Sequence, residues 1–336
     1  MPTTPSSSPV LVTGGSGLLG SYLIGHLLGL GYAVRGLYRR QIPDIPQKEQ
    51  VEWVEGDILD VPLLRQALEG VGHVFHCAGV VSYAPQDELL LEQVNVEGTA
   101  NIVNACLEAG EVKLCHVSSV AAIGAAAGAK VLDENTKWDA SQEQLAYARS
   151  KYYGELEVWR GIAEGLEAVI VNPSVVLGPG DLNRSSTRLF QYVHRQNVFY
   201  TAGEGNFVDV RDVVEIMTRL MFSEVRGERF ILNQGAMPYK TFFALVADCW
   251  GVKPPSIRVP GPLAEVVWRV EHIRSLITGR NPLITKATAR LSRHVRLFDN
   301  RKVREALSVN FRPLPETIRW CCENLPVARK DPAPSS

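Results

Sequence analysis

Tyr147 and Lys151 stand four residues apart in the segment Tyr-Ala-Arg-Ser-Lys, so on a helix both side chains share one face. A free phenol ionises near ~10 and moves protons poorly at neutral pH. Lowering that value by two to three units takes roughly 3–4 kcal/mol of preferential stabilisation of the phenolate. An ammonium ~5 Å away, at an effective dielectric near ~20, supplies about that much. The spacing therefore suits a tyrosine acid/base. An apolar run ending in Ser118-Ser119 lies 28 residues upstream and offers a hydroxyl partner.

Such chemistry needs a reactant to act on, and the N-terminus carries a second signal. The stretch TGGSGLLG, residues 13–20, follows the apolar run Val10-Leu11-Val12 and opens into a helical pattern. A strand, a tight glycine turn and a helix form an anion site. The free amides at the helix start, around Leu18 and Leu19, carry roughly half a unit of positive charge and suit a pyrophosphate. Gly14 permits the turn, Gly17 the close approach of phosphate, and Gly20 the tight contact of helix and strand. A packing turn alone is the plainer alternative. Its place, directly after a strand within a βαβ pattern, favours a dinucleotide.

These groups must be carried by a sheet. Strand-like runs at Val10–Thr13, Ala33–Tyr38, Val51–Glu55, His73–Cys77, Lys113–Ser118 and Ala168–Val171 alternate with helical stretches at Leu18–Leu30, Pro62–Glu69, Leu89–Ala109 and Gln142–Gly165. Continuous apolar strands separated by helices predict an α/β fold, a Rossmann doubly wound parallel sheet covered on both faces. After Pro173 the pattern changes. A helix over Val208–Met221 and a strand over Arg229–Asn233 return to the sheet, and from Gly235 onward the chain reads as mainly helical. The expected division is a dinucleotide-binding domain over 1–173 with 207–233 returning to it, a smaller, mainly helical substrate lobe over 174–330, and a disordered tail over 331–336.

The chain has 336 residues, enough for two lobes, with 46% hydrophobic and 21% charged residues. A formal net charge of −1 offers no field for nucleic acid or an anionic membrane. The six cysteines have no zinc-like spacing and read as reduced core residues; no metal site is expected. No secretory signal and no uncharged apolar run near ~20 residues is present, so a cytoplasmic location without a membrane span is expected. His76 and His116, at strand ends, invite a proton-relay reading, but read better as structural residues. The stretch Leu263–Ile277 reads as a helix packing in the second lobe rather than a lipid surface.

TGGSGLLG resembles the TGxxGxxG signature of extended short-chain dehydrogenases/reductases, the NAD-dependent epimerase/dehydratase family. The likeness continues in order through GDILD at 56–60, HCAG at 76–79, NVEGT at 95–99, VSS at 117–119, YARSK at 147–151 and NPSVVLGPG at 172–180. It implies hydride transfer between a nicotinamide cofactor and a carbonyl or alcohol carbon of a small-molecule substrate, with Ser119, Tyr147 and Lys151 as the catalytic set. Ser119 would hydrogen-bond the substrate oxygen; alternation turns Ser118 the other way. Lys151 would also hydrogen-bond the nicotinamide ribose. Asp57 and Ile58 are implied beside the adenine, Ala78 and Gly79 along the cofactor backbone, Pro173 and Val176 as further cofactor contacts, and Asn95 in holding the neighbouring helix and loop. Asp57 is equally suited to cap the following helix.

NAD-using relatives end the second strand with an acid for the ribose 2′-OH. Here that position is Tyr38, followed by Arg39 and Arg40, with Arg35 earlier in the strand. A guanidinium can grip a 2′-phosphate, so NADP(H) is favoured over NAD(H). Among branches of the family, the chain resembles dihydroflavonol reductases and 3β-hydroxysteroid dehydrogenases, which act on apolar cyclic ketones or alcohols. A nucleotide-sugar epimerase or dehydratase with bound NAD is the alternative. Against it stand Val175 and Gly205-Asn206, where sugar epimerases tend to carry an Asn and an Arg-Asp pair, although Arg184 or Arg188 could compensate. A non-catalytic dinucleotide sensor is a second alternative. Family members often dimerise through two long helices, here 89–109 and 142–165, and the sequence leaves a homodimer open.

Overall fold

The apolar runs fold into a parallel sheet in a computed structural model that describes residues 8–124, 131–138, 145–184, 186–259 and 297–326. The first 174 residues supply β1 (Val10–Thr13), α1 (Leu18–Gly29), β2 (Val34–Tyr38), β3 (Glu52–Glu55), α2 (Val61–Ala67) and β4 (His73–His76). There follow α3 (Glu88–Glu92), α4 (Gly98–Ala109), β5 (Lys113–Val117), β6 (Val131–Leu132), α5 (Ala146–Ala163) and β7 (Glu167–Pro173). Downstream come β8 (Val175–Leu177), α6 (Thr187–His194), β9 (Phe199–Thr201), β10 (Glu204–Asp209), α7 (Val210–Met221), β11 (Glu228–Leu232) and β12 (Gly235–Pro238). The last elements are α8 (Tyr239–Trp250), β13 (Ile257–Val259), α9 (Arg301–Leu307) and α10 (Leu314–Asn324).

Two compact units result. One comprises residues 1–174, 210–232 and 298–310; the other comprises 175–209, 233–297 and 311–336. The first holds a seven-stranded sheet in the order β11-β7-β5-β4-β1-β2-β3. Every neighbouring pair is parallel. The strand order reverses direction between β1 and β4, which is where a doubly wound sheet opens its ligand crevice. Leu11, Val74, Leu114, Ala168 and Ile170 form one buried layer with Ile102, Val103 and Val158 of α4 and α5.

The segment expected as one helix over Leu89–Ala109 is interrupted. Between α3 and α4, residues Gln93–Glu97 form a π turn. From the first turn of α4, the Thr99 hydroxyl donates to Asn95 O at 2.8 Å. This bulge brings Asn95 O against α5, where a Cβ on Gly154 would sit 2.2 Å from that oxygen. Only glycine lets the two helices meet there. Sequence periodicity does not show a π turn, because the bulge depends on a partner helix more than fifty residues away.

In the other unit, β10 pairs antiparallel with β12 and parallel with β8, and β9 pairs with β13. Its core gathers Phe190, Phe207, Phe242, Val246, Ile318 and Cys321. The return segment is a helix over Val210–Met221, two residues shorter at its start than expected, because Val208 and Asp209 belong to β10. The stretch Leu263–Ile277 and the tail 331–336 lie outside the described residues. Among the described residues no helix is long and apolar enough to cross a membrane, and no group of three or more His, Cys, Asp or Glu side chains could hold a metal.

Candidate active site

The glycine turn lies at the end of β1. Gly14 has φ +72°, and a Cβ there would lie 2.5 Å from Ala78 N, so the loops after β1 and β4 touch backbone to backbone. Gly17 N–H donates to Gly14 O at 2.9 Å, closing the turn. Gly17 precedes α1 and no side chain caps the helix start, so Leu18 and Leu19 begin the helix without a protein side chain at their amides. A Cβ on Gly20 would sit 2.3 Å from Gly14 O. A backbone cradle that side chains would fill, at an uncapped helix N-terminus, fits a dinucleotide pyrophosphate.

At the end of β2, Arg39 Nη1 lies 3.6 Å from Asp57 Oδ2, and both side chains are well exposed. Asp57 Oδ1 also accepts from Leu59 N at 3.0 Å, while Asp60 takes the capping role on α2 by accepting from Leu63 N at 3.2 Å. The helix-cap alternative for Asp57 thus passes to Asp60. Arg35 is removed from any ligand role: it pairs with Glu52 at 2.9 Å and donates to Ala67 O and Glu69 O. Tyr38 meets Trp53 edge to face, with ring centroids 6.4 Å apart. Ile58 is buried, and its backbone O accepts from Asn101 Nδ2 at 3.1 Å.

On α5 the buried residues Tyr147, Lys151, Gly154, Glu155, Val158 and Gly161 follow helical spacing along one face. The Ser119 hydroxyl acts on the Tyr147 phenol and favours its ionised form. Ser119 Oγ also accepts from Ala121 N at 3.1 Å, which fixes its rotamer. Lys151 Nζ donates to Val117 O at 2.8 Å, and a Cβ on Gly79 would lie 3.7 Å from it. Asn95 pins this corner. Its Oδ1 accepts from Val80 N at 2.8 Å, and its Nδ2 donates to Val80 O and Ser150 Oγ, each at 2.9 Å. Tyr83, from the loop after β4, lays its ring edge to face on Tyr147 at 5.5 Å; periodicity could not place it there. Pro173 ends β7 opposite Leu232. Val176 lies on β8 in the other unit, half-buried, its O accepting from Ser186 Oγ.

The electrostatics differ from the simple phenol–ammonium picture. Burial raises the Tyr147 phenol above its ordinary value, and only the Ser119 hydroxyl opposes that shift. Burial also brings the Lys151 ammonium down to about 8, with the Glu155 carboxylate pulling the other way. Desolvation weakens both charged forms at once, so four-residue spacing by itself does not make an acidic phenol here.

Beneath the site, His76 is fully buried and its tautomer follows from its neighbours. Thr99 directs its proton to Asn95 O, so its oxygen accepts from His76 Nε2 at 3.1 Å. Nδ1 then accepts from Thr13 Oγ1 at 2.8 Å, and Thr13 Oγ1 accepts from Ala78 N at 3.2 Å. Burial pushes His76 down to about 3 and His116 well below its usual value, so both are neutral at pH 7. His76 is thus a satisfied structural histidine, whereas both ring nitrogens of His116 are buried without a hydrogen-bond partner, so the expectation of a satisfied residue does not hold there. Because the unfolded chain takes up the proton near 6.5, the stability His76 contributes is complete above that pH and is lost progressively toward 3. Between pH 6.5 and pH 5, His76 alone removes about 2 kcal/mol. The urea midpoint should fall accordingly between pH 7 and pH 5, and an unchanged midpoint would contradict the neutral-imidazole assignment.

Comparison with known proteins agrees with this geometry. The family model described as the NAD dependent epimerase/dehydratase family matches residues 10–233. A Synechocystis sp. protein named "Putative dihydroflavonol 4-reductase" is 32% identical over 305 residues, covering 89% of each chain. A Bos taurus protein named sterol-4-alpha-carboxylate 3-dehydrogenase, decarboxylating, is 29% identical over 276 residues, covering 76% of this chain and 74% of that one. The crystal structure of gox2253 aligns over 94% of this chain and 97% of its own, with TM-score 0.79 and 30% identity. With its parallel sheet, glycine turn and matched motifs, the chain belongs to the NAD-dependent epimerase/dehydratase family, the extended short-chain dehydrogenases/reductases, and is an NAD(P)-dependent enzyme of that family.

Proposed function

We propose that the protein transfers hydride between NADP(H) and the carbonyl or secondary alcohol carbon of a small, apolar or cyclic substrate. The observation that carries this reading is the placing of Tyr147 and Lys151 one turn apart on the buried face of α5, with the Ser119 hydroxyl favouring the ionised phenol. The nicotinamide cofactor supplies or accepts the hydride. Gly14, Gly17 and the amides at Leu18 and Leu19 hold the pyrophosphate. Ser119 orients the substrate oxygen, Tyr147 Oη gives or takes its proton, and Lys151 stabilises the phenolate and positions the ribose. Asp57 and Ile58 would line the adenine, Ala78 and Gly79 would follow the cofactor chain, and Pro173 and Val176 are assigned as further cofactor-binding residues. The names of the Synechocystis and bovine relatives, a dihydroflavonol reductase and a sterol dehydrogenase, support an apolar cyclic substrate.

Arg39 is assigned to the 2′-phosphate, with Tyr38 beside the adenosine ribose. Its loose pairing with Asp57 leaves the guanidinium within reach of that anion. Replacing Arg39 with alanine should weaken NADPH binding about 10- to 100-fold and leave NADH binding within about twofold, since one charge-assisted contact is worth ~1.5–3 kcal/mol. Protection against thermal unfolding by NADPH, NADH and UDP-glucose, followed by cyclic-ketone-dependent NADPH oxidation, tests the whole reading. Strong stabilisation by the UDP-sugar, or a wild-type preference for NADH, would overturn it.

A further inference from the structure

We propose that Glu155 is a positioning residue for the reaction: its buried carboxylate, anchored from four sides, holds the Lys151 ammonium one turn earlier on α5 and, through Asn172, the backbone of Ser119. This rests on the catalytic reading of Ser119, Tyr147 and Lys151 given above.

Glu155 is only 2% exposed, and each carboxylate oxygen has two donors. Oε2 accepts from Ser118 Oγ and from Asn172 Nδ2, both at 2.7 Å. Oε1 accepts from Arg229 Nη1 at 2.8 Å and from Trp159 Nε1 at 3.3 Å. The same Asn172 amide donates to Ser119 O at 3.0 Å, so one side chain joins the carboxylate to the serine backbone. Arg229, on β11, is fixed in turn by Glu134 O at 2.8 Å and Thr136 O at 3.4 Å. The carboxylate thus gathers the end of β5, the end of β7, β11 and α5 at a single point.

A buried ion pair is weak evidence for stability, because desolvation of both charges offsets their attraction. What distinguishes this one is its place four residues after Lys151, on the same buried face of α5. Behind Glu155 stands one further charge, the Arg229 guanidinium paired with it at 2.8 Å, and four other described titratable groups near Lys151 carry none at neutral pH. His76 on β4 and His116 on β5 are neutral through burial, Tyr147 is a neutral phenol, and burial pushes the Cys77 thiol up to about 12. Glu155 is therefore the negative charge that faces the ammonium from its own helix, and it opposes the burial that brings Lys151 to about 8. A cavity of about 270 Å³ is lined by Glu155 together with Glu134, Tyr152, Trp159, Arg229 and Lys302.

The test follows Lys151 directly, in the full chain labelled with ¹³C at lysine Cε, the resonance being assigned by its loss in Lys151→Met. In the wild type it should titrate at about 8. Glu155→Gln should lower that value by about one unit or more, since a unit charge one helical turn away is removed from a poorly solvated site. The double variant Glu155→Gln/Arg229→Gln leaves no unpaired charge; it should lower the value too, by less than the single variant because the Arg229 cation leaves with the carboxylate. Glu155→Asp should stay within about half a unit of the wild type. In NADPH-dependent reduction of a cyclic ketone, the basic limb of kcat/KM should move to lower pH by the same interval in the Gln variants, because the ammonium form is lost as pH rises through this value. Lys151 titrating unchanged in either folded Gln variant, or falling equally in Glu155→Asp, would overturn the proposal. Full turnover in Lys151→Met, with the titration shifts as expected, would instead remove the catalytic reading and leave the hold of Glu155 on the ammonium intact.

Discussion

Tyr147→Phe should reduce ketone turnover by about 10²- to 10⁴-fold, the range expected when a positioned acid/base is removed. NADPH affinity should stay within about twofold, because the phenyl ring that remains keeps its packing. Tyr147 is 9% exposed and its ring meets that of Tyr83 edge to face. What is lost is one oxygen, whose ionised form the Ser119 hydroxyl favours. Burial raises this phenol in the free protein, so its proton is firmly held at neutral pH, the state needed to protonate a nascent alkoxide in the reductive direction. Single-turnover oxidation of bound NADPH, read by absorbance, measures the effect without interference from product release. A rate above a tenth of the wild type would exclude Tyr147 as the proton donor.

Gly20→Ala should cost at least about 100-fold in NADPH affinity, or about 3 kcal/mol. A Cβ there would stand 2.3 Å from Gly14 O, 2.8 Å from Gly14 C and 3.1 Å from Gly15 Cα. All three atoms are backbone, so no rotamer change relieves the overlap. The carbonyl cannot retreat either. It receives Gly17 N–H at 2.9 Å, and the Gly14 position that a Cβ would occupy is closed by Ala78 N at 2.5 Å. The turn must open, and the amides it aims at the pyrophosphate move with it. Gly29→Ala on the same helix is the control. Nothing lies within 4 Å of the added methyl, and alanine is the better helix former, so binding should be unchanged and stability slightly raised. Titration of intrinsic fluorescence with NADPH measures both variants. Equal binding by the two would show that the Gly20–Gly14 approach does not shape the site.

Most of the parallel sheet was legible along the chain. The runs at Val10, Ala33, Val51, His73 and Lys113 are each a strand within one or two residues; β1, β4 and β5, inside the sheet, are almost wholly buried, while β3 at the edge keeps Glu52 and Glu55 exposed. The glycine turn and the Tyr147–Lys151 spacing were legible for the same reason: both are local, set by residues within one turn of chain. Their chemistry did not follow from spacing alone. The ionisation of Tyr147 and Lys151 depends on how much water the packed sheet removes, and burial shifts both against the charged form.

Other features belong to the tertiary structure. The π turn at Gln93–Glu97 exists against Gly154, and the proton order through Thr13, His76 and Thr99 needs three elements in register. The Glu155 cluster joins residues 17, 37 and 74 positions away. One local cue for it was present, an acid one helical turn beyond the lysine on the same face, but a lone carboxylate at that spacing reads equally well as solvated surface. Sequence determined which residues could turn, pair or ionise, because those preferences are short-ranged. Only the folded sheet decided which charges lost their water and which partners stood ready to replace it, because desolvation and pairing act between segments far apart along the chain.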